Sequence, residues 1–438
     1  MQHFQTSFFY DFQELIRNAP LMRKYYYIFK SLNLSALKDK NFGVGATGYS
    51  RHAMLRAFIV KHLEQIKSVP QLIKYLGSIP PLAEMCGFNF GALPDETQFY
   101  RFIKGTKNSV LKSIHKTAND LLFEKGVISL DQFIIDSKPI QAATKENNFK
   151  NPSRNTTNKA KRLKRNPRAT LSYYSCQIIG GKKQNMIFFW GFRTHALVTK
   201  EGICLIEKTL PNNYTDQDVA FSLIKELKRK YKFKKGALFL ADKAYDVREL
   251  YNLIVEDMKS TAYIPINPRN TRNDKTFGSH GCPLCDGGIE MTSAGTWTEG
   301  NRDRLKFRCP LKMSKELADK YNNTCPADHP SFTTGKCYGC TKYLDITDDP
   351  RSRVPRDSKE FKETYKDRQV VEQYFARLGD REAEQTTHYS LTTIKNQMTI
   401  AHLTASLIAV AAAIHLERPE NIRCYRTFAE PDEKRKAG

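Results

Sequence analysis

Apolar positions recur at helical spacing through the first 125 residues. In residues 51–66 (RHAMLRAFIVKHLEQI), Met54, Leu55, Phe58, Ile59 and Leu63 share one face, which predicts an amphipathic helix. Ser68 is placed to cap the next helix, with Pro70 in its first turn and a stop near Gly77. Asp95, directly after Pro94, caps a further helix carrying Phe99, Phe102 and Ile103. Short helices joined by tight turns suit a helix-turn-helix DNA reader and equally suit a bundle that packs or dimerises.

From about residue 128 the pattern changes to strands. Residues 132–135 form a short apolar run that ends at Asp136. Residues 186–199 (MIFFWGFRTHALVT) and 202–210 read as two strands of a hairpin, and 216–231 as an amphipathic helix with a basic outer face. Residues 236–240 (GALFL) predict a buried strand ending at Ala241 and Asp242, followed by a helix over 247–258 and a strand over 261–266. This order describes an α/β arrangement, a mixed sheet flanked by helices. The regular pattern then breaks between 267 and about 355, and helical spacing returns at 359–378 and 391–416.

Composition adds a partner. The 438 residues carry 70 Lys and Arg against 46 Asp and Glu, a net charge of +24. A polyanion such as nucleic acid is the first partner to consider, because Lys and Arg release condensed counterions when they bind phosphates. An acidic membrane surface is the competitor. No basic segment followed by an apolar run opens the chain, so no secretory signal is expected. The apolar stretch 398–416 contains His402, Thr404, Ser406 and His415, and reads as a core helix rather than a membrane span. A reducing, cytoplasmic setting follows, in which the ten cysteines are metal ligands or buried thiols rather than disulfides.

Charge is also concentrated locally. Residues 138–168 hold ten Lys or Arg and one acid, Glu146, and read as a flexible loop following Asp136 and ending in KRLKRNPR. Lys161, Arg162, Lys164, Arg165 and Arg168 are its candidate phosphate contacts. Asp136 and Asp242 each close an apolar run, and side chains at strand ends converge on one sheet edge. With a third carboxylate on a helix they would offer hard divalent cations the oxygen ligands these prefer. Asp131 and Asp246 are poorer fits, the first lying before its strand and the second beyond Asp242. Trp190 and His195 are candidates to line the site or the DNA path, although a core Trp and a hydrogen-bonded His are the simpler expectation.

These segments resemble the bacterial insertion-sequence transposases with a DDE triad in a ribonuclease H-like fold. The matching pieces are FIIDSKPI around Asp136, LFLADKAYD around Asp242, and YKDRQVVEQYF, which carries a Y-x2-R-x3-E signature through Tyr365, Arg368 and Glu372. WGFRTHALVT is similar to the family's second strand, and LPNNYTDQDVAFSLI places Asp216 where the family has an aspartate before a helix. The resemblance runs from about Gly45 to Leu416. It implies Asp136, Asp242 and Glu372 as catalytic residues holding Mg²⁺ or Mn²⁺, with Arg368 and Tyr365 on the DNA. It implies double-stranded DNA with terminal inverted repeats as partner, a homodimer in the synaptic complex, and a bacterial, nucleoid-associated location with no membrane. One position departs: seven residues after Glu372 the family pattern has Lys, and this chain has Gly379, with Arg377 or Arg381 as nearby substitutes.

On this reading residues 1–125 are a helical domain for DNA-end recognition or dimerisation, and 126–266 begin the catalytic domain. Residues 267–355 form a cysteine-rich insert, 356–418 complete the catalytic domain and 419–438 are a tail. The insert holds two C-x2-C pairs, Cys282/Cys285 and Cys337/Cys340, the spacing with which two thiolates grip one zinc. Those four are the first choice of ligands, with Cys309 and Cys325 as alternative partners and His280 and His329 as further candidates. Two rival functions remain: a catalytically decayed transposase that only binds DNA, favoured by Gly379, and a hydrolase using two carboxylates, disfavoured by the charge of +24.

Overall fold

The structure, a computed structural model, describes residues 19–39, 48–89, 92–159, 162–175, 186–267, 277–300, 302–334, 339–345, 350–379 and 384–423. Six helices come first: α1 (Pro20–Lys30), α2 (Arg51–Leu63), α3 (Val69–Ser78), α4 (Pro80–Cys86), α5 (Glu96–Gly105) and α6 (Asn108–Glu124). Their starts follow the capping chemistry of the sequence. The Ser68 hydroxyl accepts from the Gln71 N–H at 3.4 Å, and Asp95 accepts from the Thr97 and Gln98 N–H groups at 2.7 and 3.1 Å. α3 ends at Ser78, next to Gly77, as the sequence suggests, and one expectation changes. Apart from half-buried Arg56, α2 is buried from Ala53 to Leu63, Lys61 and His62 included, because α4, α5 and a long C-terminal helix enclose it.

The sheet explains what the first helices support. β1 (Gln132–Gln141), β3 (Met186–Thr199) and β4 (Cys204–Pro211) are antiparallel neighbours, while β5 (Leu238–Leu240) and β6 (Thr261–Tyr263) run parallel to β1, and β2 (Thr170–Ser175) pairs with the first half of β3. The spatial order β4-β3-β1-β5-β6 therefore puts β1 at the centre. α7 (Asp216–Lys230) covers β3 and β4, and α8 (Arg248–Tyr251) continues into wider turns through Asp257.

Alternation along β1 separates two cores. Phe133 and Ile135 join the N-terminal helices, α6 and α7 on one face. Ile134 and Ile140 face the other way, against α12 (Lys359–Tyr365), α13 (Gln369–Leu378) and α14 (Leu391–Val410). Each such side chain contributes about 1.5–3 kcal/mol by leaving water. α14 and the turns after it form the one helix among the described residues long and apolar enough to cross a membrane, but 78% of its most apolar window is buried. Its polar groups are used internally, as where Asn396 donates to the Ile103 and Thr106 carbonyls. A core helix is what the sequence suggested.

A second sheet, β7 (Thr292–Glu299), β8 (Arg302–Arg308) and β9 (Thr341–Asp345), is antiparallel throughout and carries the short helices α9 (Pro310–Met313), α10 (Lys315–Lys320) and α11 (Pro330–Thr333). It has small cores of its own, built around Cys282, Met291, Leu305 and Phe307 and around Ile289, Cys309 and Leu311.

Candidate active site

Asp136 does not end its strand, as the apolar run suggested; β1 continues to Gln141. Pairing explains the difference: β5 leaves β1 after Ile134, but β3 accompanies it to Gln141, with Ala196 opposite Asp136. Asp136 therefore sits just past the point where β1 loses its parallel neighbour, at an opening in the sheet. Its Oδ1 accepts from the Ser137 N–H at 2.8 Å. Burial pushes its carboxyl up to about 6; Arg368 and the Ser137 N–H oppose the shift, and the neighbouring Asp242 and Asp216 add to it.

Asp242 follows β5 as expected, its Oδ1 accepting from the Ala244 N–H at 2.7 Å in a tight turn. Asp216 opens α7 and takes hydrogen bonds from Ser137 at 3.0 Å and Arg193 at 3.1 Å. Tyr245 lies fully buried among these acids: burial first, then Asp216, Asp136 and Asp242, hold its hydroxyl well above the ordinary range. Three aspartates from β1, α7 and the β5 turn thus share one small volume.

The third part comes from the far end of the chain. Arg368 donates through one guanidinium nitrogen to Glu372 at 2.6 Å and through the other to Asp136 at 3.3 Å, while its buried Nε has no hydrogen-bond partner. Tyr365, Arg368 and Glu372 are not on one continuous helix. A 3₁₀ turn at Lys366–Arg368 separates α12 from α13, yet the three side chains still converge. Burial and then Asp242, Asp136 and Glu372, opposed by Arg368, push the Tyr365 hydroxyl up to about 12, so one phenol feels all three carboxylates. No three His, Cys, Asp or Glu side chains among the described residues are grouped closely enough to hold a metal ion; Arg368 stands between Asp136 and Glu372 instead.

The basic stretch is more ordered than its composition suggests. Its first four residues belong to β1, and asparagines peg the rest to the sheet. Asn147 donates to the Ala142 and Trp190 carbonyls and Asn166 to those of Ala143 and His388. Arg162, Lys164, Arg165 and Arg168 remain exposed, and the Arg165 guanidinium lies 5.3 Å from the Tyr389 ring centre; Lys161 lies outside the described residues. Trp190 is a core residue whose indole donates to Thr156 at 2.7 Å. His195 is buried with neither ring nitrogen hydrogen-bonded, Asp216 standing 3.6 Å away. Burial, reinforced by Arg193 and opposed by Asp216, lowers it to about 4.

The rejected carboxylates have structural partners, Asp131 with Lys200 at 2.9 Å and the buried Asp246 with Arg351 at 2.8 Å. Among the cysteines, the Cys282 thiol donates to Asp357 at 3.0 Å, Cys285 and Cys340 pack against the cores that hold Cys282 and Cys309, and Cys337, like Arg381, lies outside the described residues. Sequence reasoning missed Ser137, Arg193 and Tyr245. All three lie inside the segments that carry the family resemblance, FIIDSKPI, WGFRTHALVT and LFLADKAYD, which was the signal available.

The mixed sheet thus carries two aspartates at its opening, and a later helix brings a glutamate to Arg368 beside one of them. The family model described as Transposase DDE domain matches residues 129–408, and a second, Transposase domain (DUF772), matches residues 10–105. The chain belongs to the DDE transposase family and is a transposase. No curated protein matches it. Among solved structures it is similar to the piggyBac transposase synaptic complex with hairpin DNA, with 12% identity over 97% of this chain and 83% of that one and a TM-score of 0.39. It is also similar to the Mos1 mariner paired-end complex with Mn, with 13% identity over 57% and 69% and a TM-score of 0.17.

Proposed function

We propose that the chain moves an insertion sequence, with Asp136, Asp242 and Glu372 as its three catalytic carboxylates. The observation that carries this is their convergence on Arg368 and Tyr365 from β1, the β5 turn and α13. The strand order β4-β3-β1-β5-β6, antiparallel on one side of β1 and parallel on the other, supports a ribonuclease H-like catalytic domain. The second sheet is then an insert between β6 and α12, and the helices before β1 are the DNA-end recognition or dimerisation domain. The Tyr365, Arg368 and Glu372 spacing supports the Y-x2-R-x3-E branch.

The donor set fits divalent metal. It is all carboxylate, and Asp136 is held toward its protonated form by burial first and then by Asp242 and Asp216, an environment a dication would relieve. Asp136, Asp242 and Glu372 would hold two Mg²⁺ or Mn²⁺ ions, which when bound activate the attacking oxygen and stabilise the leaving one. In the first step water attacks the phosphorus at an element end, the bond to the 3′ oxygen breaks, and a 3′-hydroxyl is freed. In the second that hydroxyl attacks a target phosphodiester, joining the strands as the target's own 3′ oxygen leaves. Arg368, freed from Asp136, keeps an unpartnered Nε for a phosphate oxygen. The exposed Arg162, Lys164, Arg165 and Arg168 track the strand. The partners are double-stranded DNA ending in inverted repeats and a second copy of the chain, on chromosomal DNA in the cytoplasm.

A structural zinc belongs to the same proposal. Burial, then Cys309, Cys285 and Cys325, push the Cys340 thiol up to about 12, which marks these four as the sulfurs a zinc ion would have to draw together, since no three of them among the described residues form a metal-holding group as they stand. Thiols that influence one another in this way are a donor set that zinc deprotonates when it binds. Cys282 serves Asp357 instead.

The experiment is strand cleavage. Purified protein with Mg²⁺ or Mn²⁺ and a duplex carrying the repeats that border its gene should be nicked, and Asp242→Asn should abolish nicking while DNA binding survives. Binding without cutting by the wild type in either metal defeats the enzyme reading.

A further inference from the structure

Gly379 and Lys138 occupy one place. A Cβ at position 379 would stand 2.6 Å from Lys138 Nζ and 2.6 Å from Glu384 Oε1, so no side chain fits there while Lys138 and Glu384 keep their pair. The glycine that breaks the sequence signature, at the end of α13, is what admits a lysine from β1. Lys138 follows Asp136 by two residues on β1, so both side chains leave the same face of the sheet. Its ammonium donates to the Phe375 carbonyl at 2.9 Å, near the end of the helix that carries Glu372, and pairs with Glu384 at 2.7 Å.

The two partners are held unequally. The Lys138 side chain is 16% exposed and fixed by a backbone carbonyl, whereas that of Glu384 is 61% exposed. A carboxylate so open to water gains little from its pair and exchanges readily for another anion. An open cavity of about 430 Å³ begins at Gly379 and Glu384 and is walled by Ala143, Phe149, Thr387 and Tyr389. It is roomy enough for a sugar-phosphate unit and stands beside the strand that bears Asp136.

We propose that Lys138 is a phosphate-binding cation of this active site, and that Glu384 is a removable counter-ion which DNA phosphate displaces. The proposal rests on the transposase-site reading above. A lysine on the central strand supplies the positive charge that the sequence lacks at position 379, from the opposite side of the same space. Two of its three protons already have acceptors in the free protein, and exchanging Glu384 for phosphate keeps that count.

The test uses the full chain in the Asp242→Asn background, where binding is read without cutting, and a duplex bearing the repeat that borders the gene. Lys138→Ala should weaken binding about tenfold, the loss of one charge-assisted hydrogen bond. It should also lower the slope of log affinity against log salt by about one. Lys138→Arg should recover most of both, and Glu384→Gln should tighten binding about two- to threefold by removing the competing anion, a small shift in the direction of a lost surface ion pair. A neutral methylphosphonate at one position near the cleavage point should weaken binding of the Lys138 protein and leave Lys138→Ala unaffected. If Lys138→Ala binds normally, or if Glu384→Gln weakens binding as much as Lys138→Ala does, Lys138 is only a tether for the 384–388 segment and the proposal is overturned. Failure of the active-site reading shows separately, as wild-type protein that never cuts.

Discussion

The Arg368 guanidinium lies 3.3 Å from the Asp136 carboxylate, although 232 positions separate the two residues. Arg368 offsets part of the cost of burying Asp136, but burial with Asp242 and Asp216 still leaves that carboxyl near 6. Its folded value therefore exceeds its unfolded one, and the protonated form is favoured up to about pH 6. In the metal-free protein the stability tied to that proton is present below the unfolded value near 4 and is lost as pH rises through 6. A dication that binds the ionised carboxylate must displace the proton below pH 6 and need not above it. Mn²⁺ should thus raise the thermal midpoint of the wild-type protein, with affinity increasing up to about pH 6 and flattening beyond. Asp136→Asn should show neither effect in the same titration. Equal stabilisation of that variant by Mn²⁺ places the metal elsewhere.

Glu372 is the most solvent-exposed of the three proposed catalytic carboxylates, with 55% of its side chain open and Arg368 as its only hydrogen-bonded partner among the described contacts. Glu372→Gln keeps the shape and one acceptor while removing the charge. Cleavage should fall by about two to three orders of magnitude, the cost of losing one preorganised electrostatic group. The thermal midpoint should hardly move, because exposed ion pairs are worth about 0–1 kcal/mol. Single-turnover nicking beside a melting curve separates the two effects; a variant that melts early and cuts at near wild-type rate would make Glu372 structural.

Much of this arrangement could be read from the residues, and the misses share a cause. Helix starts at Ser68 and Asp95, the β3–β4 hairpin and the turn at Asp242 are local matters of capping and alternation, and they appear where the pattern put them. Asp136 was placed at a strand end because its apolar run stops there, but strand length is set by the partner, and β3 is longer than that run. α2 reads as amphipathic because Met54, Leu55, Phe58, Ile59 and Leu63 share one face, and only the surrounding helices bury Lys61 and His62 as well. Gly379 read as a missing cation. Its meaning depends on Lys138, far away in the chain, and no local pattern carries that information.

Three histidines predict an acid-sensitive core. His115, His402 and His388 are buried, and burial lowers each to about 3, with His402 adding to the effect on His115. His402 is held by the Tyr374 hydroxyl at 2.5 Å, and His115 by Ser406 at 3.0 Å. Their folded values lie below the unfolded value near 6.5, so unfolding takes up protons between pH 6.5 and 3. The stability is complete above 6.5 and drains as pH falls through that window, by up to about 1.4 kcal/mol per histidine per pH unit. Urea unfolding at pH 7.5 and 5.5 should show the loss, and His388→Gln should lessen it. A pH-independent midpoint over that interval contradicts neutral burial.

The basic residues before β2 should act through salt-dependent affinity. Arg162, Lys164, Arg165 and Arg168 are exposed on a segment that Asn147 ties to Trp190 of β3 and Asn166 ties to the Ala143 and His388 carbonyls, so they present charge from an ordered support. If each meets one phosphate, replacing all four with Ala should reduce the slope of log affinity against log salt by about 3–4. At 150 mM salt the affinity should fall by several orders of magnitude less than that slope would give at low salt, since screening already weakens the contacts. Fluorescence anisotropy over a salt series reads both quantities. An unchanged slope assigns these charges to solubility rather than DNA.

Zinc removal gives the remaining check. If Cys285, Cys309, Cys325 and Cys340 hold one ion, the purified chain should contain about one zinc, released together with four reactive thiols on denaturation. Cys309→Ser should lose the metal and melt the β7–β9 sheet region first, seen as faster amide exchange there than in β1. Cys282→Ser should retain zinc, because that thiol donates to Asp357 and lies in the neighbouring core. The two variants separate ligand from core residue: zinc lost from Cys282→Ser and kept in Cys309→Ser returns the site to the two C-x2-C pairs. A protein isolated without zinc whose β7–β9 sheet exchanges as slowly as β1 needs no metal for that fold.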